Sequence, residues 1–258
     1  MIFYGKSDVG VVRRENQDSF AIFELLQGVE VAVVCDGMGG YAGGSEASRI
    51  AVETFSDMLR ELLIPDSPEQ KPDLRDQTVR RALKIAASEA NRAVWEKAHD
   101  RPDSRLEGMG TTLCAVITVG SRRGWWINVG DSRVYRISEN ETVQVTHDHS
   151  YVQQLVDSGD LTADQAEGSP MRNIITRAVG AAPELESDAG SLDLDFEEGN
   201  GHGYLMLCSD GLYVCVDRDR ILSIVNGTGT VAKKVDQLVS AARRAGGPDN
   251  ITVILAKF

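Results

Sequence analysis

Residues 31–40 read VAVVCDGMGG, five apolar side chains running without a break into Asp36 and then into glycines. A strand that is apolar at every position, rather than at every second one, is covered on both faces and belongs at the centre of a fold. Residues 205–208, LMLC, have the same character and run through Ser209 into Asp210. Two further stretches repeat the theme. WWINVGDSR carries Asp131 just beyond its apolar run, and GGPDNITVIL carries Asp249 just before one. Four aspartates therefore sit at the ends of core strands.

Acids gathered at one strand edge require a cation. Two unit charges about 4 Å apart interact by roughly 4 kcal/mol at an effective dielectric of about 20. Unneutralised carboxylates would raise one another's pKa. A divalent ion removes the conflict and becomes the dominant local charge. An all-oxygen donor set without Cys or His suits Mg²⁺ or Mn²⁺ better than Zn²⁺. The competing reading takes each Asp-Gly as an ordinary turn, which accounts for one such site better than for four.

Composition narrows the class. The 258 residues are 42% hydrophobic and 26% charged, the balance of an ordinary globular chain. A net charge of −12 without a Lys/Arg cluster argues against nucleic acid, whose phosphates are bound by cations. The first ten residues, MIFYGKSDVG, lack the pattern of a signal peptide, and no apolar run is long enough to span a membrane. The four cysteines lie in apolar runs without CxxC spacing and read as reduced, buried thiols. Cys35 and Cys208 flank the acids, so a redox influence is a weak second reading. The expectation is a cytoplasmic protein that touches neither nucleic acid nor membrane.

Strand-like runs occupy 20–26, 29–35, 112–119, 124–129, 133–138, 203–209 and 251–257. Helical periodicity marks 45–63 and 74–99, with shorter helices at 151–158, 163–167, 217–225 and 230–245. Asp217 and Thr230 are expected N-caps, Ser45 with Glu46 resembles one, and Gly246 is expected to end the last helix. Residues 65–73 read as a surface loop rather than a linker. Strands come in clusters and helices in pairs, without βαβ alternation. That order predicts an α+β fold, two packed sheets flanked by helices.

Other residues carry possible chemistry. RRENQD at 13–18, placed before the first expected strand, offers a guanidinium fork for phosphate in Arg13 and a holder of metal-bound water in Asp18. A solvated turn explains the same residues. The glycines at 37–44 match no phosphate-loop pattern, and close backbone approach, with the Gly37 carbonyl as a ligand beside Asp36, explains them better. His147 and His149 flank Asp148 ahead of a helix for which Asp148 or Ser150 is the expected cap. His202 reads as a solvent-facing loop residue, and the Trp125–Trp126 pair as core and edge packing. No serine or cysteine nucleophile motif is present.

Taken together these residues resemble the metal-dependent protein phosphatases of type 2C, in their bacterial single-domain form. The matching stretches run in order along the chain: RRENQD, VVCDGMGG, GTTL at 110–113, NVGDSRVYR, THDHS, IITRAVG, CSDGL and GGPDNIT. The resemblance implies one catalytic domain over 1–258. It implies a β-sandwich of two antiparallel sheets with helix pairs on both sides and a variable flap at 146–180 beside the site. It also implies two core Mn²⁺ or Mg²⁺ ions bridged by Asp36 and a water that attacks phosphorus directly. Asp210 and Asp249 would complete one ion's shell, the Gly37 carbonyl would ligate the other, and Asp18 would hold one of its waters. Asp131 and Asp210 match the ligands of a weaker third ion, Arg13 the phosphate-binding arginine, and Asn250 stands in support beside Asp249. The implied substrates are proteins phosphorylated on serine or threonine, with a Ser/Thr kinase as counterpart and a monomer as the working form. A pseudophosphatase that binds phosphoproteins is the alternative. One departure is Met38, where eukaryotic members carry a histidine that protonates the leaving group; a thioether has no proton to donate.

Overall fold

A computed structural model describes residues 1–40, 42–67, 70–99, 106, 108–196 and 203–258. Among the described residues, eleven strands and seven helices follow in the order β1 (Ile2–Asp8), β2 (Asp18–Leu26), β3 (Val29–Met38), α1 (Gly43–Leu63), α2 (Asp76–His99), β4 (Gly110–Thr111), β5 (Leu113–Val119), β6 (Arg123–Val129), β7 (Arg133–Ile137), β8 (Thr142–Gln144), α3 (Tyr151–Asp157), α4 (Ala163–Glu167), β9 (Asp188–Asp193), β10 (Tyr204–Cys208), α5 (Asp210–Tyr213), α6 (Arg218–Val225), α7 (Val231–Arg244) and β11 (Ile251–Lys257). One sheet has the order β1-β11-β10-β7-β8. The other has the order β2-β3-β5-β6-β9, with β4 attached to β3. Every pairing is antiparallel.

The unbroken apolar strands are explained by three layers of core. Along β3, Val31, Val33 and Cys35 face the layer under α1 and α2. The alternate residues, Ala32 and Val34, face the layer between the sheets. Strand β11 divides the same way, with Ile251, Val253 and Leu255 toward α6 and α7 and Ile254 and Ala256 toward the other sheet. Period-two alternation is therefore kept, with both faces apolar because both are covered. Helix α1 supplies Ala47, Ala51, Phe55, Leu59 and Leu63, a buried row at four-residue spacing. Helix α2 meets it with Ala82, Ala86, Ala87 and Ala90, small enough for close approach of the two axes.

The expected α+β sandwich with flanking helices is the observed fold. Four strands escape the sequence pattern. β4 and β8 are two and three residues long, while β1 and β9 are sheet edges with little alternation in burial. Asp18 does not precede the first strand; it opens the second. Helix α1 starts at Gly43 without a side-chain cap, so Ser45 and Glu46 lie inside its first turn. Ser45 Oγ instead donates to Glu15. Asp217 and Thr230 do cap α6 and α7, and Ser150, not Asp148, caps α3. His202, Tyr41 and part of the 65–73 loop lie outside the described residues.

Leu205 of β10 is fully buried between the sheets. Leu205→Ala should lower unfolding free energy by about 2–5 kcal/mol through lost transfer energy and the cavity left behind. Urea denaturation followed by tryptophan fluorescence measures it, and a loss within error of zero would mean the sheet interface is not close-packed.

Candidate metal centre

Antiparallel pairing brings five aspartates to one end of the sandwich. Asp18 opens β2 and lies directly across from Asp36 in β3. The end of β10 faces the start of β11, with Cys208 opposite Val253, so Asp210 and Asp249 flank the same edge. Arg133 at the start of β7 is also opposite Cys208, which brings the β6–β7 turn and Asp131 alongside. Asp18 and Asp131 are only 8% and 7% exposed. Asp36, Asp210 and Asp249 are half-buried.

Crowding is written into their acidities. Burial, then the charges of Asp18, Asp210, Asp131 and Asp249, hold the Asp36 carboxyl well above its ordinary range. Asp210 is pushed up to about 8 by burial and by Asp131, Asp249 and Asp18. Asp18 rises to about 6 through burial, against the hydrogen bonds it accepts from Thr252 and Ser209. Asp131 reaches about 6 through burial and Asp148, with Arg133 opposing.

Hydroxyl side chains aim these acids. Asp18 Oδ2 accepts from Ser209 Oγ at 2.8 Å and Thr252 Oγ1 at 2.6 Å. Because the Thr252 proton goes to Asp18, its oxygen accepts from Ser7 Oγ at 2.7 Å, and Ser7 accepts from Asn16 Nδ2 at 2.7 Å. The Asp36 peptide is clasped on both sides: its N–H donates to Thr112 Oγ1 and its carbonyl accepts from Thr111 Oγ1, each at 2.9 Å. Tyr213 Oη donates to the Asp131 carbonyl at 3.1 Å. None of these partners was singled out from sequence, though Thr111, Thr112, Ser209 and Thr252 all lie within three residues of a motif aspartate or in the GTTL stretch.

Arg13 donates from Nη2 to Asp249 Oδ2 at 2.8 Å, and that bond, with the charges of Asp249, Asp210 and Asp36, holds its guanidinium more firmly protonated. Asn250 anchors the loop that carries it. Its Nδ2 donates to the carbonyls of Val9 and Glu15, and its Oδ1 accepts from Gln17 N–H at 2.8 Å. Gly37 sits where a Cβ would lie 2.1 Å from the Gly44 carbonyl and 2.5 Å from that of Gln17, so only glycine lets β3, α1 and the Gln17 loop meet here.

A hard cation fits this donor set. All five carboxylates are oxygen donors, and the buried Asp18 Oδ1 and Asp210 Oδ1 have no hydrogen-bond partner. Among the described residues no three acidic, histidine or cysteine side chains are already closed round a common point. The fit therefore rests on charge, burial and those two unpaired oxygens. The other sequence candidates fall elsewhere. His147 pairs with Asp157 on the surface. His149 is buried, its Nδ1 accepting from the Gly130 N–H at 3.2 Å while Nε2 meets Asp188 at 3.1 Å. Trp125 is core and donates from Nε1 to Asp76. Burial pushes the Cys35 and Cys208 thiols far up, so neither supplies a thiolate for redox chemistry.

The family model described as protein phosphatase 2C matches residues 12–255. The chain is 35% identical over 254 residues to the serine/threonine protein phosphatase PstP of Mycobacterium tuberculosis, covering 98% of this chain and 44% of that protein. It is 33% identical over 252 residues to the serine/threonine phosphatase stp of Listeria monocytogenes, covering 98% and 94%. Among solved structures, the Streptococcus agalactiae serine/threonine phosphatase superposes with a TM-score of 0.85 at 33% identity, covering 100% of this chain and 98% of that one. The PstP catalytic domain in complex with two manganese ions gives 0.78 at 32% identity, covering 98% and 96%. The chain belongs to the protein phosphatase 2C family. It spans less than half the length of the Mycobacterium tuberculosis relative.

The raised carboxyl pKa values set a pH dependence. Asp36, Asp210, Asp18 and Asp131 hold protons in the folded chain that the unfolded chain releases near its ordinary carboxylate pKa. With chelator present, their contribution to stability is greatest at low pH and is lost as pH rises through about 6 and then about 8. Melting temperature in EDTA should therefore fall between about pH 5 and 8, and Mn²⁺ should raise it more at the upper end. A melting temperature in EDTA that stays level or climbs across this window would contradict the arrangement.

Proposed function

We propose that residues 1–258 form one metal-dependent serine/threonine protein phosphatase domain that hydrolyses phosphoserine and phosphothreonine in proteins, with 146–180 as its flap. The observation that carries this reading is the convergence of five aspartates with two unpaired buried oxygens and Arg13 leaning on their rim. Membership of the family and the phosphatase names of its relatives support it. With the acidic set intact and the relatives named as phosphatases, the pseudophosphatase alternative has no support.

Asp36, Asp210, Asp249 and the Gly37 carbonyl are the donors for the two core ions. Asp131 and Asp210 are the donors for a third, weaker one. Mn²⁺ or Mg²⁺ bound there supplies Lewis-acid charge and makes water more acidic. The chain's own residues do the positioning. Asp18, fixed through Oδ2 by two hydroxyls, keeps Oδ1 as an acceptor that orients water. Arg13 is about half exposed, with one donor on Asp249, and its fork offers further N–H groups to phosphate oxygens. Asn250 keeps the Arg13 loop in register with Asp249. Met38 carries no proton for the leaving serine or threonine oxygen. A Ser/Thr kinase as counterpart, a cytoplasmic location and a monomeric form complete the proposal. Among the described residues no helix is long and apolar enough to cross a membrane.

Hydrolysis of p-nitrophenyl phosphate with Mn²⁺ or EDTA tests the proposal. Turnover should require the metal, and Asp36→Asn or Asp210→Asn should cut it at least about 100-fold, the scale of losing a dominant electrostatic contact. Asp131→Asn should mainly raise the Mn²⁺ concentration needed, and Arg13→Ala should mainly raise KM. Absence of metal-dependent turnover in the wild type sinks the enzyme reading; full activity in Asp36→Asn sinks the site.

A further inference from the structure

The turn that presents Asp131 is held by His149, a buried residue the proposed chemistry leaves without a role. His149 and Gly130, the residue just before Asp131, are bonded twice. The His149 N–H donates to the Gly130 carbonyl at 2.9 Å, and the Gly130 N–H donates back to His149 Nδ1 at 3.2 Å. Asn128 Nδ2 adds a bond to the same carbonyl at 3.1 Å. Gly130 has a φ of +98°, and a Cβ there would lie 2.6 Å from Thr112 Cγ2. The turn therefore has no side chain of its own at this position and is fixed from outside.

The partners of the ring set its tautomer. Nδ1 accepts, so the proton of the neutral imidazole sits on Nε2 and is donated to Asp188 Oδ2 at 3.1 Å. Arg177 Nη1 reaches Asp188 Oδ1 at 3.3 Å and shares that carboxylate with the ring. Burial lowers the His149 pKa, with Asp188 pulling the other way. Packing alone does not call for an imidazole here. An apolar side chain would fill the same space and leave the buried Gly130 N–H without its acceptor, one residue from a proposed metal ligand.

Resting on the phosphatase reading, we infer that His149 is a positioning residue for Asp131: its Nδ1 fixes the Gly130 peptide, and through it the affinity of the weaker third ion. Partners that orient a metal ligand are worth about 10–100-fold in metal affinity. The Asp36, Asp210 and Asp249 donors reach the centre on other elements, so the two core ions are held independently of this contact. Asp188 acts at one remove, by keeping the Nε2 proton in place and so leaving Nδ1 free to accept.

Two amides separate the contacts of the ring. Asn puts an oxygen where Nδ1 stands and keeps the acceptor for Gly130, whereas Gln puts its amide where Nε2 stands and keeps only the Asp188 contact. The full chain is titrated with Mn²⁺ and the free ion followed by electron paramagnetic resonance, with Asp131→Asn marking the weaker class of ion. His149→Leu and His149→Gln should weaken that class at least about tenfold and spare the tighter one, while His149→Asn stays close to wild type. In EDTA, exchange of the Gly130 amide followed by NMR should be slow in wild type and His149→Asn and faster in the other two, a readout that involves no metal. Equal weakening in Asn and Gln, no weakening in Leu, or a weaker class that survives Asp131→Asn overturns the inference. If Leu loses the tighter ions as well, it has misfolded, and the Asn–Gln pair decides. A wild type that shows this pattern yet hydrolyses no p-nitrophenyl phosphate overturns the phosphatase reading and upholds the positioning role.

Discussion

Mutual repulsion among carboxylates is the constraint on which the rest of the structure depends. Five aspartates from β2, β3, the β6–β7 turn, α5 and the loop before β11 meet at one end of the sandwich, where burial makes the charges of Asp18, Asp36, Asp131 and Asp210 costly and neighbouring acids make them costlier. Such a cluster persists only if the rest of the fold is stable enough to hold it. Three layers of apolar core on two fully covered sheets supply that stability. Function and fold thus oppose each other locally, and a bound cation reconciles them.

Rigidity at the cluster comes from short side chains rather than from long ion pairs. Thr111 and Thr112 clasp the Asp36 peptide, and Ser209 and Thr252 share one oxygen of Asp18. These hydroxyls lose little side-chain entropy on ordering and leave the second carboxylate oxygen available. Gly37 contributes by what it lacks, since any Cβ there would collide with two carbonyl oxygens. Arg133 extends the same frame toward the flap, bidentate to Asp148 and stacked on Tyr213 at 3.6 Å.

Much of this was legible in the chain. The central strands were visible because both of their faces are apolar, and the helices because their apolar rows repeat at helical spacing. Edge strands β1 and β9 were not, because an edge is half in solvent and its alternation is weak. The start of α1 was misplaced because its first residues, Gly43 and Gly44, are selected for close approach to β3 and not for capping. Asp148 looked like a cap, yet its partner Arg133 stands fifteen residues away across a strand pairing.

Sequence alone determined which residue types the site has, because hard-cation chemistry requires oxygen donors and these stand out at the ends of apolar runs. It also determined the layered α+β architecture, because one-sided and two-sided burial leave different periodicities. Only the tertiary structure decided which aspartate faces which, and which oxygen of Asp18 and Asp210 is left unpaired. The reason is that pairing partners such as Asp18 with Ser209, or Arg13 with Asp249, are separated by 191 and 236 residues. Contacts of that span are set by strand order and register, which no local pattern records.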